Sequence, residues 1–300
     1  MKTISKRRKE KSKLTKDEWR EYTKTVWHIA NISHPHHPAV FPPEIPKRLI
    51  KLFTFHGDTV LDPFSGTGST AEVALALSRR AVCVDQSKRY VEIAKARCKA
   101  LGNGYATALN IRCGDSRDLR FLRNGSIGLV VTSPPYWNKA DYGRGPANLG
   151  RTPGYRDFIE SLRPVFRECH RVLMPGRKLC VITANVNQHT DFGLLCFPIA
   201  ADLIRLLREI GFVMINEIIW NKDGTGGKWG SWGKQRPIFG SYPYPPNFLF
   251  KTVHEYILVF AKQRSDRISG PKVVPLAQLM GSKDGWAPNT GNGMNGHPHA

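Results

Sequence analysis

From residue 59 onward the apolar positions alternate between short continuous runs and longer stretches with helical spacing. Runs at 59–61, 81–84, 110–113, 127–132, 178–183, 213–220 and 255–260 are rich in Val, Ile, Leu and Phe and too short for buried helices, so they read as strands. Between them, 70–78, 90–101, 155–173 and 198–210 repeat apolar residues every three or four positions, the signature of a helix with one buried stripe. This alternation predicts an α/β fold: a doubly wound, mostly parallel seven-stranded sheet with helices on both faces and right-handed crossovers. Upstream, 16–28 carries Trp19, Tyr22, Val26 and Trp27 near helical spacing and reads as one helix. Residues 44–55 read as another, with Ile45, Leu49, Leu52 and Phe53 on one face. The proline- and histidine-rich 34–46 between them reads as extended loop.

Charge changes the picture more than size does. The 300 residues suit one large domain, but 45 Lys and Arg against 24 Asp and Glu give a net charge of +21, which points to a polyanionic partner, nucleic acid first. Residues 1–15 read as a basic, disordered arm, although enough positive charge remains elsewhere to keep the domain basic without it. Residues 16–262 form the domain and 263–300, rich in Gly, Asn and Pro, a loosely ordered tail. Within the domain, 221–252 lacks periodicity and interleaves Trp and Tyr with Lys222, Lys228, Lys234 and Arg236, the mixture that stacking and phosphate contact require. A surface hairpin with ordinary aromatic packing is the plainer alternative. The six cysteines contain no CxxC pair and read as reduced, buried thiols rather than zinc ligands, so no metal site is expected. No apolar leader or window of about 18 apolar residues argues for secretion or membrane insertion, and a cytoplasmic protein is expected.

Two strand ends carry candidate chemistry. After the run 127–131 come Thr132, Ser133, Pro134, Pro135, Tyr136 and Trp137, and consecutive prolines cannot donate to a ladder, so the strand stops there. The result is a rigid turn presenting a hydroxyl, carbonyls and aromatic faces at the carboxyl edge of the sheet, where open α/β sheets bind ligands. After the run 59–61 come Asp62, Pro63, Phe64, Ser65, Gly66, Thr67 and Gly68, a Gly-rich strand-to-helix turn. Asp85 closes the next strand and Asp115, followed by Ser116, the one after. Each aspartate alone could be a helix N-cap. Three at successive strand ends suit a cationic nucleoside, with Asp85 accepting ribose hydroxyls and Asp115 an adenine amino group, and the absence of GxGxxG spacing argues against a dinucleotide.

With these pieces in place the chain resembles the amino-methylating DNA methyltransferases, which act on cytosine N4 or adenine N6 with S-adenosylmethionine. The resemblance rests on His37, Pro38, Ala39, Val40, Phe41 and Pro42, on Glu44, Ile45, Pro46, Arg48, Leu49 and Ile50, on the 62–70 turn, Asp85, the 132–137 motif, and on 254–260. It implies a Rossmann-like S-adenosylmethionine-dependent methyltransferase fold, a cofactor pocket lined by His37, Pro38, Phe41, Asp62, Pro63, Phe64, Gly66 and Gly68, to which the strand-end reading adds Asp85, Asp115 and Ser116, and a catalytic loop of Ser133, Pro134, Pro135 and Tyr136. The cofactor half precedes the catalytic half, which reads as a circular permutation of the order in many relatives.

Amine methylation needs hydrogen-bond acceptors for the N–H groups and a face for an extruded base, offered here by Ser133 Oγ, the Pro134 carbonyl, Tyr136 and a flanking Trp137. Serine before the two prolines is, in such a family, the mark of cytosine N4 rather than adenine N6. Cytosine C5 methylation is disfavoured because no cysteine adjoins a proline. The expectation is a site-specific enzyme on double-stranded DNA, with a cognate restriction endonuclease as further partner and 221–252 as target-recognition insertion. An adenine N6 enzyme, an RNA amino-methyltransferase and a catalytically silent nucleic-acid-binding module are the alternatives.

Overall fold

The structure, a computed structural model, describes residues 4–32, 41–102, 107–139, 149–224, 244, 250 and 252–264. Strands β2 (Thr59–Asp62), β3 (Arg80–Asp85), β4 (Leu109–Cys113), β5 (Ile127–Thr132) and β6 (Leu173–Thr183) are parallel. Strand β10 (His254–Lys262) runs antiparallel between β6 and β9 (Phe212–Asn221). Strand β1 (Val26–His28) adds a parallel edge to β9, giving the order β1-β9-β10-β6-β5-β2-β3-β4. From β2 the chain moves outward through β3 and β4, then returns to start β5 and moves the other way. The order therefore reverses between β2 and β5, and a crevice opens beyond their carboxyl ends.

All six residues of β5 are buried, which explains why it reads as an uninterrupted apolar run. Val130, Leu179, Val181, Leu258 and Phe260 point to a layer formed by α6 (Tyr155–Ser161), α7 (Arg163–Val172) and α8 (Ile199–Ile210). Leu129, Val131, Cys180 and Ile182 point the opposite way, to α3 (Glu44–Phe53) and α4 (Ser69–Ala76). Helix α5 (Lys88–Ala100) follows β3 and buries Val91, Ala94 and Cys98. Period-two alternation on the strands and a single stripe on each helix thus meet in two apolar layers.

Four expectations need correction. The sheet has eight strands, not seven, because the helix foreseen at 16–28 stops early: α2 (Lys16–Tyr22) ends at Thr23 and the chain extends into β1. Burial of Trp27 beneath the Arg48 guanidinium, 5.1 Å from its ring, fixes that short strand against α3. The helix foreseen at 155–173 is two, joined at Leu162, with a proline in the first turn of α7 where its missing N–H costs least. A hairpin of β7 (Val186–Thr190) and β8 (Gly193–Phe197) follows β6, in a stretch to which the pattern assigns no element. Finally, the described part of the arm is not disordered. It forms α1 (Lys6–Glu10), and Arg8 donates to the Asp58 carboxylate at 2.7 Å and to the His56 carbonyl at 2.8 Å. Of the cysteines, Cys83, Cys98, Cys169 and Cys180 are buried free thiols, whereas Cys113 and Cys196 are exposed.

Candidate active site

The β2–α4 turn and the end of β5 are tied together by one carboxylate. Asp62 is 1% exposed and accepts from Thr132 Oγ1 at 2.9 Å, Thr70 Oγ1 at 2.7 Å and the Phe64 amide at 3.1 Å. Burial pushes its carboxyl up to about 6 despite those donors. Asp62 therefore braces the two loops from within the sheet edge rather than facing the crevice. Pro63 is held from the other side, since the buried Ser116 hydroxyl donates to its carbonyl. Phe64 is half-buried against the layer of α6, α7 and α8.

Gly66 and Gly68 both take positive φ, +50° and +84°, and both are buried. At Gly68 a Cβ would lie 2.6 Å from that of Ala94, so the turn and α5 approach closely only because glycine stands there. Asp85 accepts from the Gly66 amide and the Ser87 amide, each at 2.8 Å, and is half-buried, which raises its carboxyl pKa. Beside it, Ser65 Oγ is buried without a hydrogen-bond partner among the described residues. Asp115 is bound at 2.8 Å by the guanidinium of Arg117, which holds its carboxyl low. Phe41 lies half-buried against the layer of α3 and α4. His37 and Pro38 fall outside the described residues, as do Lys228, Lys234, Arg236 and the 265–300 tail.

Beyond β5, Ser133 is half-buried, Pro134 buried, and Pro135 and Tyr136 half-buried. Ser133 Oγ donates to Tyr136 Oη at 3.3 Å, and Tyr136 Oη donates to Glu255 Oε2 at 2.7 Å. Glu255 belongs to this edge because β10 is antiparallel, so its first residues lie where its neighbours end. Lys222, just past β9, pairs with the other oxygen of Glu255 and lies 4.5 Å over the Trp220 ring.

Two residues expected to touch nucleic acid do not offer themselves to it. Trp137 is 7% exposed, with its ring 5.0 Å from Phe197 and 5.4 Å from Tyr155 and its Nε1 donating to the Thr152 carbonyl at 2.9 Å. Its φ of +49° turns the side chain under the loop, a backbone position rarely taken by a bulky residue and held here by that packing. Lys222 is 13% exposed, committed to Glu255 rather than to a phosphate. Glu255 lies within the 254–260 stretch that carries the resemblance but was not among the expected site residues; a strand that opens on an acidic side chain beside a histidine is its local signal.

Comparison with known proteins adds a family. A DNA methylase profile of the N6/N4 type matches residues 1–96 and 127–287. The chain is 42% identical over 199 residues to the Type II methyltransferase M.MjaI of Methanocaldococcus jannaschii, covering 58% of this chain and 62% of that one. To M.BglI of Bacillus subtilis it is 40% identical over 86 residues, 28% of this chain and 25% of the relative. The matched segments thus span less than two thirds of either relative. Among solved structures, TTHA0409 of Thermus thermophilus, assigned as a DNA modification methylase and complexed with S-adenosyl-L-methionine, is 30% identical, with 53% of this chain and 55% of that chain covered and a TM-score of 0.37.

Proposed function

The chain belongs to the N6/N4 DNA methylase family, and from that premise we propose that it moves a methyl group from S-adenosylmethionine to the exocyclic N4 of a cytosine flipped out of double-stranded DNA. The observation that carries this reading is the Ser133 hydroxyl, half-buried on a proline-locked turn at the switch point and coupled through Thr132 and Asp62 to the glycine turn. The two loops that would hold donor and acceptor are thereby one unit. The cofactor turn precedes the catalytic turn in the chain, an order we read as a circular permutation.

S-adenosylmethionine, when bound, supplies a methyl group on a positively charged sulfur. The residues present fit such a group. Gly66 and Gly68 let backbone approach it, Asp85 keeps lone pairs for ribose hydroxyls beside its two amide bonds, and Asp115 and Ser116 stand at the adjoining strand end. The orphaned Ser65 Oγ is a further acceptor inside the same turn. Phe41 would complete the pocket. On the other side, Ser133 Oγ and the Pro134 carbonyl accept the amine N–H groups and draw its lone pair out of conjugation, Pro135 fixes the turn, and the ring of Tyr136 supports the base. So held, the amine nitrogen would face the methyl donor, and one of its N–H protons would leave toward the groups that accept it.

The serine favours cytosine N4 over adenine N6 through the family tendency already stated, and the Type II relatives favour a cognate restriction endonuclease as partner. Nucleoside mass spectrometry of unmethylated DNA treated with the protein and labelled S-adenosylmethionine is the test. Label in N4-methylcytosine is the expected result. Label only in N6-methyladenine would overturn the base assignment, and label only in an RNA competitor would overturn the substrate.

A further inference from the structure

The Ser133, Tyr136, Glu255 and Lys222 contacts form a directed chain. Ser133 donates to Tyr136, Tyr136 donates to Glu255, and the Glu255 carboxylate is balanced by Lys222. The members of the terminal ion pair are each 13% exposed, so the carboxylate is held in place and largely shielded from water. A serine hydroxyl has one proton and two lone pairs. With its proton aimed at Tyr136, both lone pairs face outward, and a hydroxyl that could otherwise donate becomes an acceptor for an incoming amine.

We infer that Glu255 is a positioning residue and terminal proton acceptor for Ser133, acting through Tyr136, an inference that rests on the amine-methylation reading above. As the nitrogen gains its methyl group, the amine proton passes to Ser133 Oγ, the Ser133 proton to Tyr136 Oη, and the Tyr136 proton to Glu255 Oε2. One proton leaves the amine and one arrives on the carboxylate. The 3.3 Å step from Ser133 is the long joint of the chain and the one that substrate closes, as catalytic hydrogen bonds tighten on binding. Lys222 holds the Glu255 carboxylate in place through their ion pair, a use for its charge that does not involve phosphate.

The full-length protein, unmethylated plasmid DNA and methyl-tritiated S-adenosylmethionine test this. Glu255→Gln and Tyr136→Phe should each lower kcat about a hundredfold. The KM for DNA and the calorimetric affinity for S-adenosylmethionine should stay within about threefold, and the double variant should be no slower than the slower single one, because the groups act as a unit. Glu255→Gln with Lys222→Met leaves no unbalanced buried charge, and it should be equally slow while melting with the wild type. Losses that multiply in the double variant, or a Tyr136→Phe enzyme within threefold of wild type, would overturn the relay. Absence of transfer by the wild-type protein would overturn the reading beneath it, and the relay with it.

Discussion

Asp62 shows how far one side chain can carry opposing demands. Burial raises its pKa to about 6, above the ordinary value near 4 that it would regain on unfolding. The folded protein therefore binds the proton more tightly, and this group's contribution to stability is full below about pH 4 and lost as pH rises to about 6. Asp62→Asn should remove that dependence, so urea denaturation across this range should show the variant gaining on wild type by on the order of 3 kcal/mol. A constant difference would sink the assignment. The two halves of the site should separate under substitution. Ser133→Ala should abolish most transfer with S-adenosylmethionine affinity nearly unchanged, whereas Asp85→Ala, which strands the Gly66 and Ser87 amides, should weaken that affinity at least tenfold, or about 1.4 kcal/mol. Calorimetry with the cofactor distinguishes them. Gly68→Ala meets both a positive φ and the Ala94 Cβ at 2.6 Å, while Gly57→Ala meets a positive φ with open space around it. Roughly 3 kcal/mol of destabilisation against about 1 is expected, read from urea midpoints.

At the scale of elements, the hairpin of β7 and β8 matters because it packs against the 132–137 turn and the residue after it. Phe197 at its end and Tyr155 on α6 hold Trp137, and Asn138 Nδ2 reaches Gln188 Oε1 at 3.2 Å. Trp137→Ala should thus cost about 3–5 kcal/mol of stability, the range for deleting a buried large aromatic side chain. Trp137→Phe should cost nearer 1, the Nε1 bond to Thr152 alone. A tryptophan that stacked on a base would behave oppositely, lowering DNA affinity at unchanged stability, so denaturation and DNA binding on the same two variants decide the matter. The same element marks the limit of what the sequence reveals. The β5 run was legible because a strand buried on both faces is apolar throughout, and Asp62, Asp85 and the 132–137 turn because a strand end is a local event. The hairpin was not, since Val186 is buried while Leu195 and Phe192 are exposed, leaving no clean alternation. Nor was β1, whose three residues continue a helical pattern. Glu255 and the partners of Trp137 are contacts across 119 and 15 residues of chain, set by topology rather than by any neighbour in sequence.

For the whole molecule the question is where +21 charges act. The basic arm looks suited to phosphate, yet Arg8 is anchored to Asp58 and His56, which precede β2, while Ser133 follows β5. Because β2 and β5 are parallel, arm and candidate site stand at opposite edges of the sheet. Ser12 Oγ accepts the His56 amide at 2.8 Å, reinforcing the dock. Asp58 also pairs with Arg177 at 3.3 Å, so loss of Arg8 leaves it a cation, and Arg8→Ala should destabilise by only about 1 kcal/mol. Phosphate contacts made by the arm would add to the salt dependence of DNA binding, each by about 0.9 in the slope of log K against log salt. Residues 4–13 include Lys6, Arg7, Arg8, Lys9, Lys11 and Lys13, enough to shift that slope by several units if they touched the duplex. A protein lacking residues 1–13 should melt at lower temperature yet bind plasmid DNA with a salt slope within one unit of the intact chain. A fall of three units or more would place the arm on the phosphates and require the duplex to wrap from the edge that carries Ser133 to the opposite one.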